Sequence, residues 1–227
     1  MSKQKRFETD CIPTSAGDLT ITFLGHGTLM FDFNGKVIHV DPYSQVADYE
    51  DLPKADLILI THEHGDHLDP QALKHIQKEN TKLILTERCA TQVKGGIVMD
   101  NGDVETASGI RIEAVPAYNL IHKRPSGDPF HPQGAGNGYI LTFGDVRVYI
   151  AGDTENIPEM ESLEDIHVAF LPMNLPYTMT PEMVAEGAGR FQPRILYPYH
   201  YGNTDLSKLE EQLKDNKEIE VRIRQMA

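Results

Sequence analysis

Residues 61–68 read THEHGDHL, and three histidines and an aspartate (His62, His64, Asp66 and His67) fall within six consecutive positions of it. The chain of 227 residues holds only 10 histidines, so the clustering needs a chemical reason. The stretch follows directly on Leu57–Ile60 (LILI), an unbroken apolar run of the kind that forms a strand covered on both faces. His62 and His64 are two apart at that strand's exit, which turns both imidazoles to one side. Gly65 permits the tight turn that folds Asp66 and His67 back. One short loop can thus offer two imidazoles to one metal ion, and a carboxylate with an imidazole to a second. Imidazole suits zinc, and a mixed nitrogen and carboxylate set also accepts iron or manganese.

Working outward, Asp69 and Pro70 suit the cap and first position of a helix over PQALKHIQKEN (70–80), and the strand KLILT (82–86) follows. Strand, ligand-rich loop, helix and strand make a crossover unit. Upstream, LTITFL (19–24) alternates as a half-buried strand does, and Asn34-Gly35 between two alternating runs is a strong hairpin signal. Residues 96–118 read as several short strands. Asn119–Gly138 has no periodicity and is rich in Gly and Pro, which marks a long loop of the kind that carries function. A second hairpin over 138–154 runs into Asp153. The segments FNGKVIHVDP (33–42) and FGDVRVYIAGD (143–153) resemble each other weakly and hint at two related β-halves. A short helix around Pro158–Leu163, the strand VAFLP (168–172), a helix opening at Thr180-Pro181 and the strand RILYPYH (194–200) come next. The helix SKLEEQLKD (207–215) places Leu206, Leu209 and Leu213 on one face, and EIEVRIR (218–224) alternates as a strand. With no linker in view, residues 1–227 are expected to form one domain.

The net charge of −13, from 34 acidic and 21 basic residues, argues against binding to nucleic acid, which needs clustered Lys and Arg. Cys11 and Cys89 are the two cysteines, too few for a disulfide scaffold, so a reducing compartment is expected. The start MSKQKRFETD lacks the apolar region of a signal peptide, and no run approaches the roughly 18 apolar residues of a membrane span. The expectation is a cytoplasmic protein that acts on a small molecule, away from membranes.

THEHGDHLD resembles the HxHxDH signature of the metallo-β-lactamase superfamily. The likeness extends to Gly25-His26, to VDPY at Asp41, to AGDT at Asp153 and to PYHYG at His200. It spans roughly Leu19 to Gly202 and is nearest to the small, single-domain branch of metal-dependent hydrolases that includes the ascorbate-6-phosphate lactonase. The resemblance implies an α/β fold, a four-layer αββα sandwich of two mixed β-sheets flanked by helices, with two divalent metal ions along one edge. It implies that His62 and His64 hold the first ion, that Asp66, His67 and His200 hold the second, and that Asp153 bridges both. Zinc is the leading metal, with manganese or iron also acceptable.

One position departs from the pattern. The superfamily commonly supplies a third imidazole for the first ion after the strand that here reads EAVPAY, where this chain has Asn119. The substitutes are Asn119 itself, His131, whose flanks Pro129 and Pro132 stiffen, and His122. Around the centre, Asp41 is a candidate to orient a ligand histidine, unless it only closes an Asp-Pro turn. His26 is a candidate proton donor or substrate contact, against a structural role. Asn174, Tyr177 and Thr178, in the loop after VAFLP, and Tyr201 beside His200 are candidate substrate residues. His39 reads as packing or surface, and His75 and His167 as surface.

The activity so implied is that of a metal-dependent hydrolase, in which a metal-bridging hydroxide cleaves a small ester, lactone or phosphoester. No GxSxG elbow offers a serine nucleophile instead. His64 stands where oxygen-reducing relatives would carry Glu. Two rival readings are a nuclease or RNA-processing enzyme of the same superfamily, which the acidic charge disfavours, and a binding relative without catalysis.

Overall fold

The protein is described by a computed structural model over residues 7–227. Its first sheet contains β1 (Glu8–Thr14), β2 (Gly17–Gly25), β3 (Thr28–Phe33), β4 (Lys36–Val40), β5 (Leu57–Leu59), β6 (Lys82–Leu85) and β7 (Ile97–Val98). They lie side by side in chain order. The second contains β8 (Val104–Ala107), β9 (Ile110–Ala117), β10 (Gly136–Phe143), β11 (Val146–Ile150), β12 (Val168–Pro172), β13 (Ile195–Tyr199) and β14 (Glu220–Val221), again in order from edge to edge. In each sheet the first four strands pair antiparallel and the remaining junctions are parallel. The weak likeness between the two hairpin segments therefore has a topological counterpart: β3–β4 and β10–β11 occupy the same place in the two sheets. Asn34 and Gly35 both take left-handed φ, 51° and 73°, which matches the twist of the strands they join and sets Phe33 opposite Lys36.

Among the described residues four helices cover the outer faces: α1 (Pro70–Ile76), α2 (Glu87–Ala90), α3 (Pro181–Phe191) and α4 (Ser207–Leu213). Strand β5 shows why LILI is apolar throughout. Leu57 and Leu59 pack into the cluster shared by the two sheets, while Ile58 and Ile60 pack into a second cluster with Leu73 and Ile76 of α1 and Cys89 of α2. Aromatic rings knit the sheets together, with Phe33 against Phe143 at 5.1 Å and Phe23 against Tyr197 at 5.0 Å between centroids. Among the described residues no helix is long and apolar enough to cross a membrane.

Several boundaries differ from the sequence expectation. Helix α1 stops at Ile76, because the polar residues 77–80 that follow are exposed and bury nothing. Pro158–Ser162 is a 3-10 turn, and residues 136–138 of the expected loop already belong to β10. Of EIEVRIR only Glu220–Val221 pairs as strand. Beyond it Arg224 turns to Asp10 on β1, whose carboxylate accepts from Nη2 at 2.7 and 2.8 Å and from Nε at 3.1 Å. That contact ties the antiparallel edge of the first sheet, β1, to the segment after β14 at the parallel edge of the second. Strand β1 itself gives a weak sequence signal, since most of its residues face solvent at a sheet edge.

Candidate metal centre

The residues of the centre leave the C-terminal ends of strands where the parallel pairing lies. Asp41 follows β4, Thr61 to His67 follow β5, Asp153 follows β11, Asn174 follows β12 and His200 follows β13. In open sheets such ends form the crevice in which ligands collect. Three positions, His26 (φ 55°), Asp41 (φ 45°) and His200 (φ 46°), adopt the left-handed conformation, costly for a residue with a side chain. Backbone bonds hold two of them there: Asp41 N–H donates to Leu59 O at 3.0 Å, and His200 N–H to His26 O at 3.0 Å. Gly27 completes the crowding, since a Cβ on it would stand 2.9 Å from His67 Cε1 and 3.4 Å from His200 Cδ2.

Three sets of side chains bring one donor atom each within 4.8 Å of the others: His62, His64 and His131; His62, His67 and Asp153; and His26, Asp66, His67 and His200. In the first, His62 Nε2 lies 3.1 Å from His64 Nδ1, and His131 Nε2 lies 3.2 Å from Asp153 Oδ2. In the others, His67 Nε2 lies 3.6 Å from Asp153 Oδ1, and His200 Nε2 lies 3.5 Å from Asp66 Oδ2 and 3.8 Å from Asp153 Oδ2. Asp153 thus stands between the groups.

Hydrogen bonds behind the cluster select which ring nitrogens stay bare. Asp41, fully buried, accepts from Thr61 N–H at 2.8 Å, from Thr61 Oγ1 at 2.6 Å and from His67 Nδ1 at 2.8 Å. Because the carboxylate only accepts, His67 carries its proton on Nδ1 and presents Nε2. Asn119 does the same for His131. Its Oδ1 takes both the His131 backbone N–H at 2.8 Å and Nδ1–H at 2.7 Å. His26 Nε2 donates to Asp66 Oδ2 at 2.9 Å.

Charge follows from this crowding. Burial, and then the neighbouring His67, push the His62 pKa well down, and burial with His131 lowers that of His64. Burial also opposes a charge on His67, yet the carboxylates of Asp153, Asp41 and Asp66 outweigh it and push the pKa up to about 9. For Asp153 and Asp66 burial is likewise outweighed: His200 and His67 hold the first, and His200 and His26 the second, well below the usual carboxylate range.

The donor chemistry fits a divalent metal. Among the buried polar atoms without a hydrogen-bond partner in the described residues are His67 Nε2, His200 Nε2 and Asp153 Oδ1. Buried polar atoms are normally satisfied, so bare nitrogen and oxygen atoms turned toward one another suit an ion. The set is imidazole and carboxylate without thiolate, since Cys89 on the buried face of α2 packs against Thr86. The cluster floors a cleft of about 490 Å³ whose wall includes Arg124, Phe130, Asn174 and Tyr177.

Of the three substitutes for the missing imidazole, His131 lies against His62 and His64, with ring centroids 5.0 and 4.9 Å away. The other two are turned elsewhere. Both amide atoms of Asn119 are spent, Oδ1 on His131 and Nδ2 on Glu155 and the Tyr177 carbonyl. His122 Nδ1 bonds Glu155 Oε1 at 2.6 Å. Asn174 and Tyr177 line the cleft, Asn174 within 3.4 Å of His200 Nδ1. Thr178 does not: it is buried and its hydroxyl closes a turn with the Asn174 backbone. Tyr201 points away too, its hydroxyl donating to Arg224 O at 2.7 Å and accepting from Met226 N–H. His39 is fully buried, while His75 and His167 are partly exposed.

Glu155 escapes sequence reasoning. It is fully buried, and its two oxygens accept from the backbone N–H of Leu120, Ile121 and His122 as well as from Asn119. The only signal in the sequence is its place two residues after Asp153 at a strand exit.

The chain is similar to known proteins in sequence and in fold. A family model described as "Beta-lactamase superfamily domain" matches residues 20–200. The UPF0173 metal-dependent hydrolase of Thermococcus onnurineus is 32% identical over 197 residues, 80% of this chain and 84% of its own. The crystal structure of a protein from Parabacteroides distasonis ATCC 8503, classed among metal-dependent hydrolases, superposes with a TM-score of 0.94 at 51% identity, covering 98% of this chain and 100% of that one. Igni18, a metallo hydrolase of Ignicoccus hospitalis, shares the fold at a TM-score of 0.74 and 23% identity, covering 91% of this chain and 95% of its own.

Proposed function

The chain belongs to the beta-lactamase superfamily and, within it, to the UPF0173 metal-dependent hydrolases, and from that membership we propose that it cleaves a small ester, lactone or phosphoester at a centre of two divalent ions, zinc foremost. His62, His64 and His131 would hold one ion and Asp66, His67 and His200 the other, with Asp153 between them. The observation that carries this reading is the set of bare buried atoms, His67 Nε2, His200 Nε2 and Asp153 Oδ1, facing one another at the floor of a cleft. Divalent ions held there would supply a coordinated water with its pKa lowered from 15.7 toward about 7 and a charge to polarise the oxygen that gains charge during hydrolysis.

The chain supplies the rest. Asp41 and Asn119 hold protons on the Nδ1 atoms of His67 and His131, so that Nε2 is the atom left to face an ion, which at His67 would displace the second proton that the surrounding carboxylates favour. His26 pins the Asp66 carboxylate. A cleft of about 490 Å³ suits a small molecule, and a net charge of −13 disfavours a polynucleotide. Elemental analysis of protein purified without chelator or affinity tag tests the reading. Two equivalents of zinc, manganese or iron per chain are expected, with hydrolysis in a screen of esters, lactones and phosphoesters. No metal, even after soaking, would overturn it.

A further inference from the structure

Arg124 stands in the wall of the cleft without a carboxylate partner among the described residues. Its guanidinium makes two long contacts, to Phe130 O at 3.3 Å and to His64 Nε2 at 3.5 Å, and lies over the Phe130 ring at 5.1 Å. The acids that might neutralise it are engaged elsewhere: Asp128 bonds Ser126, and Glu155 holds the backbone of 120–122. The backbone around it is fixed, since Arg124 N–H donates to Asp128 O at 2.7 Å and Gly127 N–H to Arg124 O at 2.9 Å. Phe130 is in turn braced edge-on by Tyr177 at 5.0 Å between centroids. A free guanidinium held on an aromatic face presents its remaining N–H groups as a fork, which matches the two oxygens of a carboxylate or phosphate. In a chain of net charge −13, an unpaired cation at this place calls for an anion from outside.

We infer that the substrate is a small anion, carrying a carboxylate or phosphate group a few bonds from the bond that is cleaved, and that Arg124 grips that group. His64 sets the distance. Its Nδ1 faces His62 at the centre and its Nε2 faces Arg124, so one imidazole ring separates the guanidinium from the converging atoms. Phe130 and Tyr177 form the adjoining wall, against which the short apolar link of such a molecule packs. The inference rests on the hydrolase reading for the word substrate. The anion site at Arg124 stands on its own contacts.

The test compares glutarate with glutaramate, which differ only in whether the second end carries a charge, and adds 3-phosphonopropionate as the phosphate arm. Calorimetric binding is measured on wild type, Arg124→Met and Arg124→Lys, with metal content determined on the same samples. Glutarate or the phosphonate is expected to bind wild type roughly ten- to hundredfold more tightly than glutaramate, the worth of a charge-assisted pair. Arg124→Met should erase that advantage, so that glutarate and glutaramate bind alike, and Arg124→Lys should restore part of it. Whichever dianion loses more on substitution identifies the group. An advantage that survives Arg124→Met, or no advantage in metal-loaded wild type, would overturn the inference. Absence of metal in wild type would instead strike at the hydrolase reading; each probe then still offers Arg124 one carboxylate, and weakening of both by Arg124→Met would report the anion site.

Discussion

Asn119 illustrates how one residue can change task without changing place. It occupies the position where the family resemblance implies an imidazole, and here its amide oxygen anchors an imidazole from twelve residues further on, His131. Such outer partners typically govern metal affinity by ten- to a hundredfold. Asn119→Ala is therefore expected to weaken metal binding by about that factor, seen as the loss of about one equivalent on mild dialysis. Asn119→Asp keeps the acceptor for His131 but sets an oxygen against buried Glu155 and the Tyr177 carbonyl, so it should not rescue the loss. Equal retention in wild type and Asn119→Ala would show that His131 is held by its loop alone.

At the scale of the element, the segment from Asn119 to Ala135 lacks regular structure yet carries His131, Arg124 and Phe130 at fixed places. Glu155 explains how. A single buried carboxylate at the exit of β11 takes three successive backbone N–H groups at 2.7 Å each, fastening the start of the loop to the same strand end that presents Asp153. Glu155→Gln would turn an amide N–H₂ toward those donors. Leaving buried groups unsatisfied costs about 1–3 kcal/mol, more for charged ones. The expected outcome is a fall in Tm together with reduced metal content, since Asn119 loses a partner in the same step. A variant with wild-type Tm and full metal content would mean the loop is fixed by other contacts.

For the whole molecule, pH reaches the fold through His39 as well as through the centre. His39 is buried in β4, bonded to Pro53 O at 3.1 Å, and burial pushes its pKa down to about 4 from an ordinary 6.5. Below pH 6.5 the unfolded chain takes up a proton that the folded chain refuses. Stability from this group is therefore whole above about 6.5 and is lost as pH falls toward 4, a loss of roughly 3 kcal/mol over that window. In His39→Leu, measured with chelator present so that metal release does not contribute, Tm should fall less between pH 7 and pH 5 than in wild type. Parallel declines would assign the acid sensitivity to other groups.

The sequence by itself determined the individual strands, the hairpins and the ligand-rich loop, because these are local signals, while the two-sheet sandwich was implied by the family resemblance that the loop carries. Alternation, the Asn34-Gly35 turn, the doubly covered run at Leu57–Ile60 and the HxHxDH spacing each lie within about ten residues. It was less reliable where an element ends for lack of a partner to bury against, as at Ile76 and after Val221. Its reach also ended at contacts between distant segments. Which of Asn119, His122 and His131 joins His62 and His64, why Thr178 and Tyr201 turn away, and that Glu155 and Arg124 matter at all were decided by tertiary structure. The physical reason is that these side chains have more than one chemically reasonable partner. Only the packing of two sheets, edge against edge, selects among them by distance and by which hydrogen bonds are already made.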